Sequence, residues 1–242
     1  MSRKKKRMER LQARRRYLIH QGGAQGWSGL TDERKMELDT LLQGYRVIAG
    51  ELLRDVFGVA CCIPATRVTV NVLAHFGFQA RPLSVRADIL NPAFQQALLS
   101  EGLQLHDVSE QWMAKHADVR CVCLGPGTDE ERKAGVIHVV AIAENHWLID
   151  ASLGQANDTK EDVGIRMDHV VLSTVTENFL AGRNGLQLRD AVNGCRVHYT
   201  AFLDDQHFLQ GPAWQHPAIP AVSAVLTEKL ESVAVVVLPD GA

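Results

Sequence analysis

The sequence predicts an α+β fold, and three observations carry that reading. Apolar residues recur at three- and four-residue spacing from Leu38 to Val56, Pro64 marks the start of a second helix, and beyond residue 119 short strand signals joined by turns dominate. Composition sets the bounds. A chain of 242 residues suffices for one large domain or two small ones, and 46% hydrophobic with 22% charged residues is the profile of a folded chain. No apolar stretch approaches the roughly 18 to 20 residues of a membrane helix, and no hydrophobic block follows the basic N-terminus as a secretory signal requires. The expected compartment is the cytoplasm, with no membrane partner.

Residues 1–16 hold nine Lys or Arg against Glu9 alone, a local charge of +8; because the whole chain carries −2, residues 17–242 carry −10. Like charges at that density repel one another, so residues 3–16 read as a solvated or frayed helical arm, with an acidic partner or nucleic acid as the functional alternative. The glycine-rich run 21–29 reads as a linker. The chain then divides into an arm and linker at 1–29 and a single α+β domain at 30–242.

Thr31 is a candidate N-cap for the first helix, whose apolar stripe passes through Leu38, Leu41, Leu42, Tyr45, Ile48, Leu52, Leu53 and Val56 before Gly58 closes it. Pro64 suits the first turn of a second helix, where its missing N–H has no intrahelical acceptor, and that helix is expected to reach His75, before Gly77. Residues 80–89 and 119–124 then read as strands, with short helices at 92–100 and 108–116. Residues 125–135 read as a flexible polar loop, and 136–143 with 147–150 as a hairpin turning at Glu144, Asn145 and His146. Further strands are expected at 170–175, 196–203 and 233–238, with a helix at 221–231.

The five cysteines are an odd set in a chain without an export signal, so free thiols are expected rather than a disulfide framework. Neither Cys61-Cys62 nor the Cys121-x-Cys123 pair has the spacing of a structural zinc site, and core packing is the expectation there. His198, His207 and His216 lack the close pairing of zinc-binding helices, and Gly125-Pro-Gly is not followed by the Lys-Ser/Thr of a phosphate loop. No metal and no cofactor is expected.

Cys62 stands where chemistry is available. A thiol is a good nucleophile only as the thiolate, which a helix N-terminus stabilises with unpaired N–H groups and the positive end of its dipole. It also needs a base within reach, normally a histidine oriented by a carboxylate or amide. For a turn centred near Glu144 to Asn145, positions whose numbers sum to 288 or 289 face each other, which makes His138 and Asp150 cross-strand neighbours about 4.5 to 5.5 Å apart. His146 falls in the turn, and His75 lies roughly 20 Å along the helix from Cys62, so neither serves as the base. The Cys62 main-chain N–H is one candidate oxyanion donor, and no glutamine lies in the turn immediately before it.

Residues 62–81, Cys-Ile-Pro-Ala-Thr-Arg-Val-Thr-Val-Asn-Val-Leu-Ala-His-Phe-Gly-Phe-Gln-Ala-Arg, resemble the core motif of the transglutaminase-like superfamily, in which a cysteine opens a helix that ends in Gly-x-x-Ala-Arg. Gly77, Ala80 and Arg81 follow Cys62 by 15, 18 and 19 positions, the register of that motif; Cys61 is one out. Residues 137–152 similarly resemble the superfamily's His strand followed by a Trp-x-x-Asp strand. The resemblance spans residues 52–156. It implies a papain-like core, a cysteine-bearing helix packed on an antiparallel sheet, with Cys62 as nucleophile, His138 as general base and Asp150 as its orienter. Two departures bear on substrate class: Val139 and Val140 stand where an aromatic residue usually follows the histidine, and the Cys62 to His138 interval is longer than in compact members.

The expected function is that of a thiol hydrolase of peptidase type acting on an amide-containing or protein substrate through an acyl-Cys62 intermediate. The alternatives are an amine acyltransferase of transglutaminase or arylamine N-acetyltransferase type, and a non-catalytic binding module that uses the basic arm.

Overall fold

The structure, a computed structural model, describes residues 26–116, 118–158, 165–189 and 194–237. The basic segment 3–16 lies outside the described residues. The first long helix, α1 (Asp32–Phe57), begins where Thr31 Oγ1 accepts from the Arg34 N–H at 3.3 Å and ends at Gly58, whose φ of 78° is open to glycine without strain. Leu38, Leu41, Leu42, Tyr45, Ala49 and Leu53 form its buried stripe. Helix α2 (Cys62–His75) follows after a four-residue turn.

The remaining elements are β1 (Ala80–Leu90), α3 (Pro92–Glu101), α4 (Glu110–Ala114), β2 (Cys121–Leu124), α5 (Asp129–Lys133), β3 (His138–Ala143), β4 (Trp147–Asp150), β5 (Val171–Thr174), α6 (Glu177–Leu180), β6 (Leu186–Arg189), β7 (Arg196–Phe202) and α7 (Ile219–Val237). Helices and one antiparallel sheet, curled into a half-barrel in the order β5-β4-β3-β1-β7-β6, make this an α+β fold. Ala141, Ala143 and Ile149 on one face of the sheet pack against α1, α2 and α7. Leu83, Val85, Val140, Ile142, Leu148, Val197 and Tyr199 form a second core on the other face. None of the described helices is long and apolar enough to cross a membrane.

Strand β1 organises the site. Its residues 84–90 pair with β7 along one edge, while 80–85 pair with β3 and 87–90 with β2 along the other. Strands β2 and β3 therefore act as one strand interrupted opposite Arg86, and residues 125–137 leave the sheet at the break. Gly125 fills it: at φ 92° its Cα packs so closely that a Cβ there would lie 2.6 Å from the Val85 carbonyl oxygen and 3.1 Å from the His138 Cβ. This segment, read from sequence as a flexible loop, is instead pinned at Gly125 and carries the helix α5, opened by a Thr128/Glu131 capping box.

Several expectations are corrected. Residues 233–237 belong to α7 rather than to a strand, and Leu238 lies outside the described residues. Valine favours strands, but Ile219, Val222, Leu226 and Leu230 already commit one face of α7 to the core, and extending an established helix gains a hydrogen bond per residue. The hairpin register is 290, not 288 or 289: Ala141, Ile142 and Ala143 face Ile149, Leu148 and Trp147, and Glu144 and Asn145 both take φ 50° in the turn. His138 and Asp150 are thus diagonal rather than directly opposite. A shift of two keeps both side chains on one face, because alternation has a period of two. Strand β6 and helix α6 had no expectation.

The run read as linker up to Gly29 is docked from Gly26 onward. The Trp27 N–H donates to the Glu144 carbonyl at 2.8 Å, and its indole stacks on His146 at 4.1 Å. On the far side of α1, Gly50 faces His169, with an added Cβ only 2.3 Å from the His169 Cβ. Gly to Ala inside a helix ordinarily gains about 1 kcal/mol. Here Gly50→Ala is expected to destabilise by about 1 to 3 kcal/mol through overpacking, and to cost less in a His169→Gly background. Thermal melts of the four proteins in that cycle check this; a stabilised single variant contradicts the packing.

Candidate active site

Cys62 is the first helical residue of α2, so its N–H and that of Ile63 have no intrahelical acceptor, and Pro64 has no N–H to leave unpaired. The helix is held against the sheet at its first turn: Thr66 Oγ1 donates to the Val139 carbonyl at 2.8 Å, next to His138. Further along, Thr69 Oγ1 donates to the Ala65 carbonyl at 2.8 Å, so the Tyr45 hydroxyl must be the donor in its 2.7 Å bond to Thr69. These contacts place the Cys62 thiol to donate to the Ile137 carbonyl at 3.7 Å, beside His138, whose pKa it helps to raise.

The structure brings Cys62, His138 and Asp150 together. His138 Nε2 lies 2.7 Å from Asp150 Oδ2, with His138 1% exposed and Asp150 fully buried. Asp150 is saturated with donors. Its Oδ2 also accepts from the Tyr199 hydroxyl at 2.9 Å, and its Oδ1 accepts from the Ser152 N–H at 3.1 Å and the Ser152 hydroxyl at 3.3 Å. That set answers the desolvation that would otherwise neutralise a buried carboxyl. Gln155 Nε2 sits 3.1 Å from His138 Nδ1, the ring nitrogen that Asp150 leaves available.

The charges follow from this geometry. Burial disfavours the imidazolium of His138, but the Asp150 charge and hydrogen bond outweigh it, with Cys62 adding to the effect, and raise its pKa from 6.5 to about 10. Burial likewise opposes ionisation of Asp150, yet the His138 charge and the hydrogen bonds from His138, Ser152 and Tyr199 hold its pKa below the ordinary value. Tyr199 is pushed well above its usual range by burial and by the neighbouring Asp150 charge.

The two adjacent thiols are separated by their surroundings. Cys61, the N-cap residue, is buried in the core that α1, α2 and α7 share with the sheet, and burial first, then its neighbours Cys62 and Asp150, push its pKa up to about 11. Of the two, Cys62 is the thiol that helps to raise the His138 pKa. Cys121 is pushed up to about 12, mainly by burial. His75 bonds Glu231 at 3.0 Å at the far end of α2, and His146 stacks on Trp27, so both are structural. His207 hydrogen-bonds Asp205, and His216 Nδ1 accepts from the Ala218 N–H at 3.2 Å. Among the described residues, no group of three or more His, Cys, Asp or Glu is placed to hold a metal ion.

Comparison with known protein families, with curated proteins and with solved structures finds no match. The site is therefore argued from its own geometry. Sequence reasoning missed Thr66, Ser152, Gln155 and Tyr199. Ser152 and Gln155 follow Asp150 closely, and a carboxylate ending a strand is a signal to search the next turn for donors. Tyr199 had no local signal, since only β1 pairing with both β3 and β7 brings it to Asp150. A roomier cavity of about 530 Å³, bordered by Arg86, Asp88, Arg132, His198 and Phe202, includes none of the three candidate residues. Beside the site, a cleft of about 10 Å³ lies between Cys61, Ser152, Gln155 and His169.

The His138–Asp150 pair has a testable pH signature, cleanest in a Cys62→Ala background where the Cys62 thiol does not titrate. With its folded pKa still raised by Asp150, His138 contributes stability that is fully present below about 6.5 and is lost as pH rises through the folded value. In that window the native state holds one more proton than the unfolded state, so stability should fall by up to about 1.4 kcal/mol per pH unit. Asp150, with its pKa depressed, contributes stability above its ordinary value that is lost on acidification. Adding Asp150→Asn should remove the alkaline slope. Denaturant unfolding across pH measures it, and an unchanged slope contradicts the ion pair.

Proposed function

We propose that this protein is a cysteine hydrolase with a papain-like, transglutaminase-like core that cleaves an amide in a protein or other amide-containing substrate. The observation that carries the reading is the buried His138–Asp150 pair, 2.7 Å between Nε2 and Oδ2, with the Cys62 thiol of a helix start 3.7 Å from the carbonyl oxygen of Ile137, the residue before His138. Asp150 holds the imidazole by Nε2 and leaves Nδ1 to exchange a proton with Cys62. The sulfur, as thiolate, attacks the carbonyl carbon, and the C=O electron pair moves onto oxygen. Collapse breaks the C–N bond, and the departing amine takes the proton from His138 Nδ1. Neutral His138 then takes a proton from water, whose oxygen displaces the sulfur from the acyl carbon and regenerates Cys62.

Water is the favoured acceptor over an amine because it needs no second pocket of its own. The geometry of the site distinguishes the thiols. A step of one residue turns a helical side chain by about 100°, and Cys61 packs in the core.

Intact mass spectrometry after exposure to small thioester and anilide donors should show an acyl adduct that Cys62→Ala abolishes and Cys61→Ala retains. At about pH 6, where an ordinary thiol of pKa about 8.5 is less than about 1% ionised, iodoacetamide should label Cys62 at least about tenfold faster than Cys61. Labelling of Cys61 in preference, or an adduct that survives Cys62→Ala, overturns the assignment of the nucleophile.

A further inference from the structure

We propose that the cavity of about 530 Å³ beside the break in the sheet is a carboxylate-binding site that selects the acyl donor, with Arg86 and Arg132 as its specificity-determining residues. The inference rests on the reading of Cys62 as nucleophile and names the substrate class that reading leaves open, an amide with a carboxylate close to the scissile bond. Three observations converge on it.

The first is where the cavity lies. Arg86, Asp88, His198, Thr200 and Phe202 border it. Across β1 and β7, Arg86 pairs with Thr200, Asp88 with His198 and Ser84 with Phe202, so all these side chains lie on one face of the sheet. In β3, Val139 pairs with Ser84 and Ala141 with Pro82, which makes this the face that packs against α2. Val85 pairs with His138. Arg86 is the next residue on β1 and Ile137 the residue before β3, and the Ile137 carbonyl accepts from the Cys62 thiol at 3.7 Å. Pro126 and Gly127 also border the cavity, directly beyond Gly125, whose backbone packs on Val85 and His138. None of the three candidate residues lines the cavity, yet its floor and its wall both start beside His138.

The second is how the two guanidinium groups are held. Arg86 Nε and Nη2 both lie 2.8 Å from Asp88 Oδ1, and Nη1 donates to the Gly127 carbonyl at 3.0 Å. The Asp88 side chain is 7% exposed and that of Arg86 33%, so a buried carboxylate braces the cation while the cation itself reaches solvent. Three of the five guanidinium N–H groups are engaged in this way, which leaves two for a ligand. Arg132 reaches Asp129 Oδ1 with Nη2 at 3.1 Å, and its guanidinium lies 5.6 Å over the Phe202 ring. Two planar forks at one cavity match a carboxylate, which accepts bidentately. The volume is in the range of about 300 to 1,000 Å³ of small-ligand pockets, and Leu105 and Phe202 supply apolar surface for the carbon stem.

The third is His198. Burial holds its pKa below the ordinary value, so at neutral pH the ring is uncharged and carries one N–H. Nε2 lies against Gly185, where an added Cβ would come within 2.3 Å of it. Nδ1 is buried and has no hydrogen-bond partner among the described residues. Buried polar atoms in that condition are few in folded proteins, and a carboxylate in the cavity gives this one an acceptor for its N–H.

The test separates binding from turnover by titrating the full-length Cys62→Ala chain in a calorimeter. The probes are N-acetyl-Gly-Gln-Gly amide, the same peptide with Glu in place of Gln, and the Gln peptide with a free C-terminal acid. At least one acid should bind about tenfold or more tightly than the neutral amide, and which one does so identifies the carboxylate as side-chain or terminal. Arg132→Gln should abolish that preference, and Arg132→Glu should turn it towards the peptide with Lys in place of Gln. Arg86→Lys, which keeps a charge beside Asp88 but loses the fork, should weaken the preference about tenfold. Equal binding of all three peptides, or none at millimolar concentration, overturns the proposal. So does a preference that persists in both Arg132→Gln and Arg86→Lys, which would put the carboxylate elsewhere. If the acid binds through Arg132 but the wild-type chain never forms an acyl adduct with the anilide of that acid, the hydrolase reading fails and the carboxylate site stands without it.

Discussion

A carboxylate with no exposure to water has to be surrounded by donors or give up its charge, and Asp150 is surrounded. Four hydrogen bonds from three residues reach its two oxygens: His138 and Tyr199 on one, the Ser152 N–H and hydroxyl on the other. Each donor imposes a structural requirement. Tyr199 requires β7 beside β1, His138 requires β3 to begin at the break in the sheet, and Ser152 requires the chain to turn at once beyond β4. Removal of any donor would leave a buried charge under-satisfied, at a cost of about 1 to 3 kcal/mol or more. The placement of the site and the stability of the sheet are in this sense one problem.

The break between β2 and β3 lets a helix approach. An unbroken strand opposite Arg86 would continue the hydrogen-bonded edge of β1 past His138; instead Gly125 turns the chain out, with backbone so close to Val85 and His138 that no side chain fits there. Helix α2 meets that end of β3 through Thr66 and Val139, which brings its first residue level with Ile137 and His138. Pro64 removes one N–H from a helix start that carries no side-chain cap, since Cys61 makes no capping hydrogen bond. The remaining N–H groups of Cys62 and Ile63 are left to whatever negative charge arises there.

Much of this was legible locally. The cap at Thr31, the stripe of α1, Pro64 and Gly58 are punctuation that acts within a few residues, and the elements they predict lie where expected. The hairpin was legible as a hairpin, but its register depended on whether Glu144 and Asn145 would both adopt positive φ, which non-glycine residues seldom do. The choice of Cys62 over Cys61 rested on motif spacing, and the core contacts of Cys61 supply a physical reason that sequence alone lacked. The valine run at 233–237 misled because strand propensity was weighed without the helix face that precedes it. Tyr199 was out of reach for a different reason: 49 residues separate it from Asp150, and only sheet order joins them. Trp27 was hidden among glycines that read as linker, although a tryptophan in such a run needs a surface to cover, and it finds His146.

The charge on His138 is the point at which fold and chemistry meet, because the surroundings of Asp150 are justified only if they hold an imidazolium beside the sulfur. Nitrogen NMR of the wild-type chain with labelled histidine reads that charge directly from the two ring nitrogens. At neutral pH, His138 should show both nitrogens protonated, and Asp150→Asn should convert it to a neutral ring. A His138 that is neutral in the wild type at that pH, with one bare nitrogen, would contradict the account.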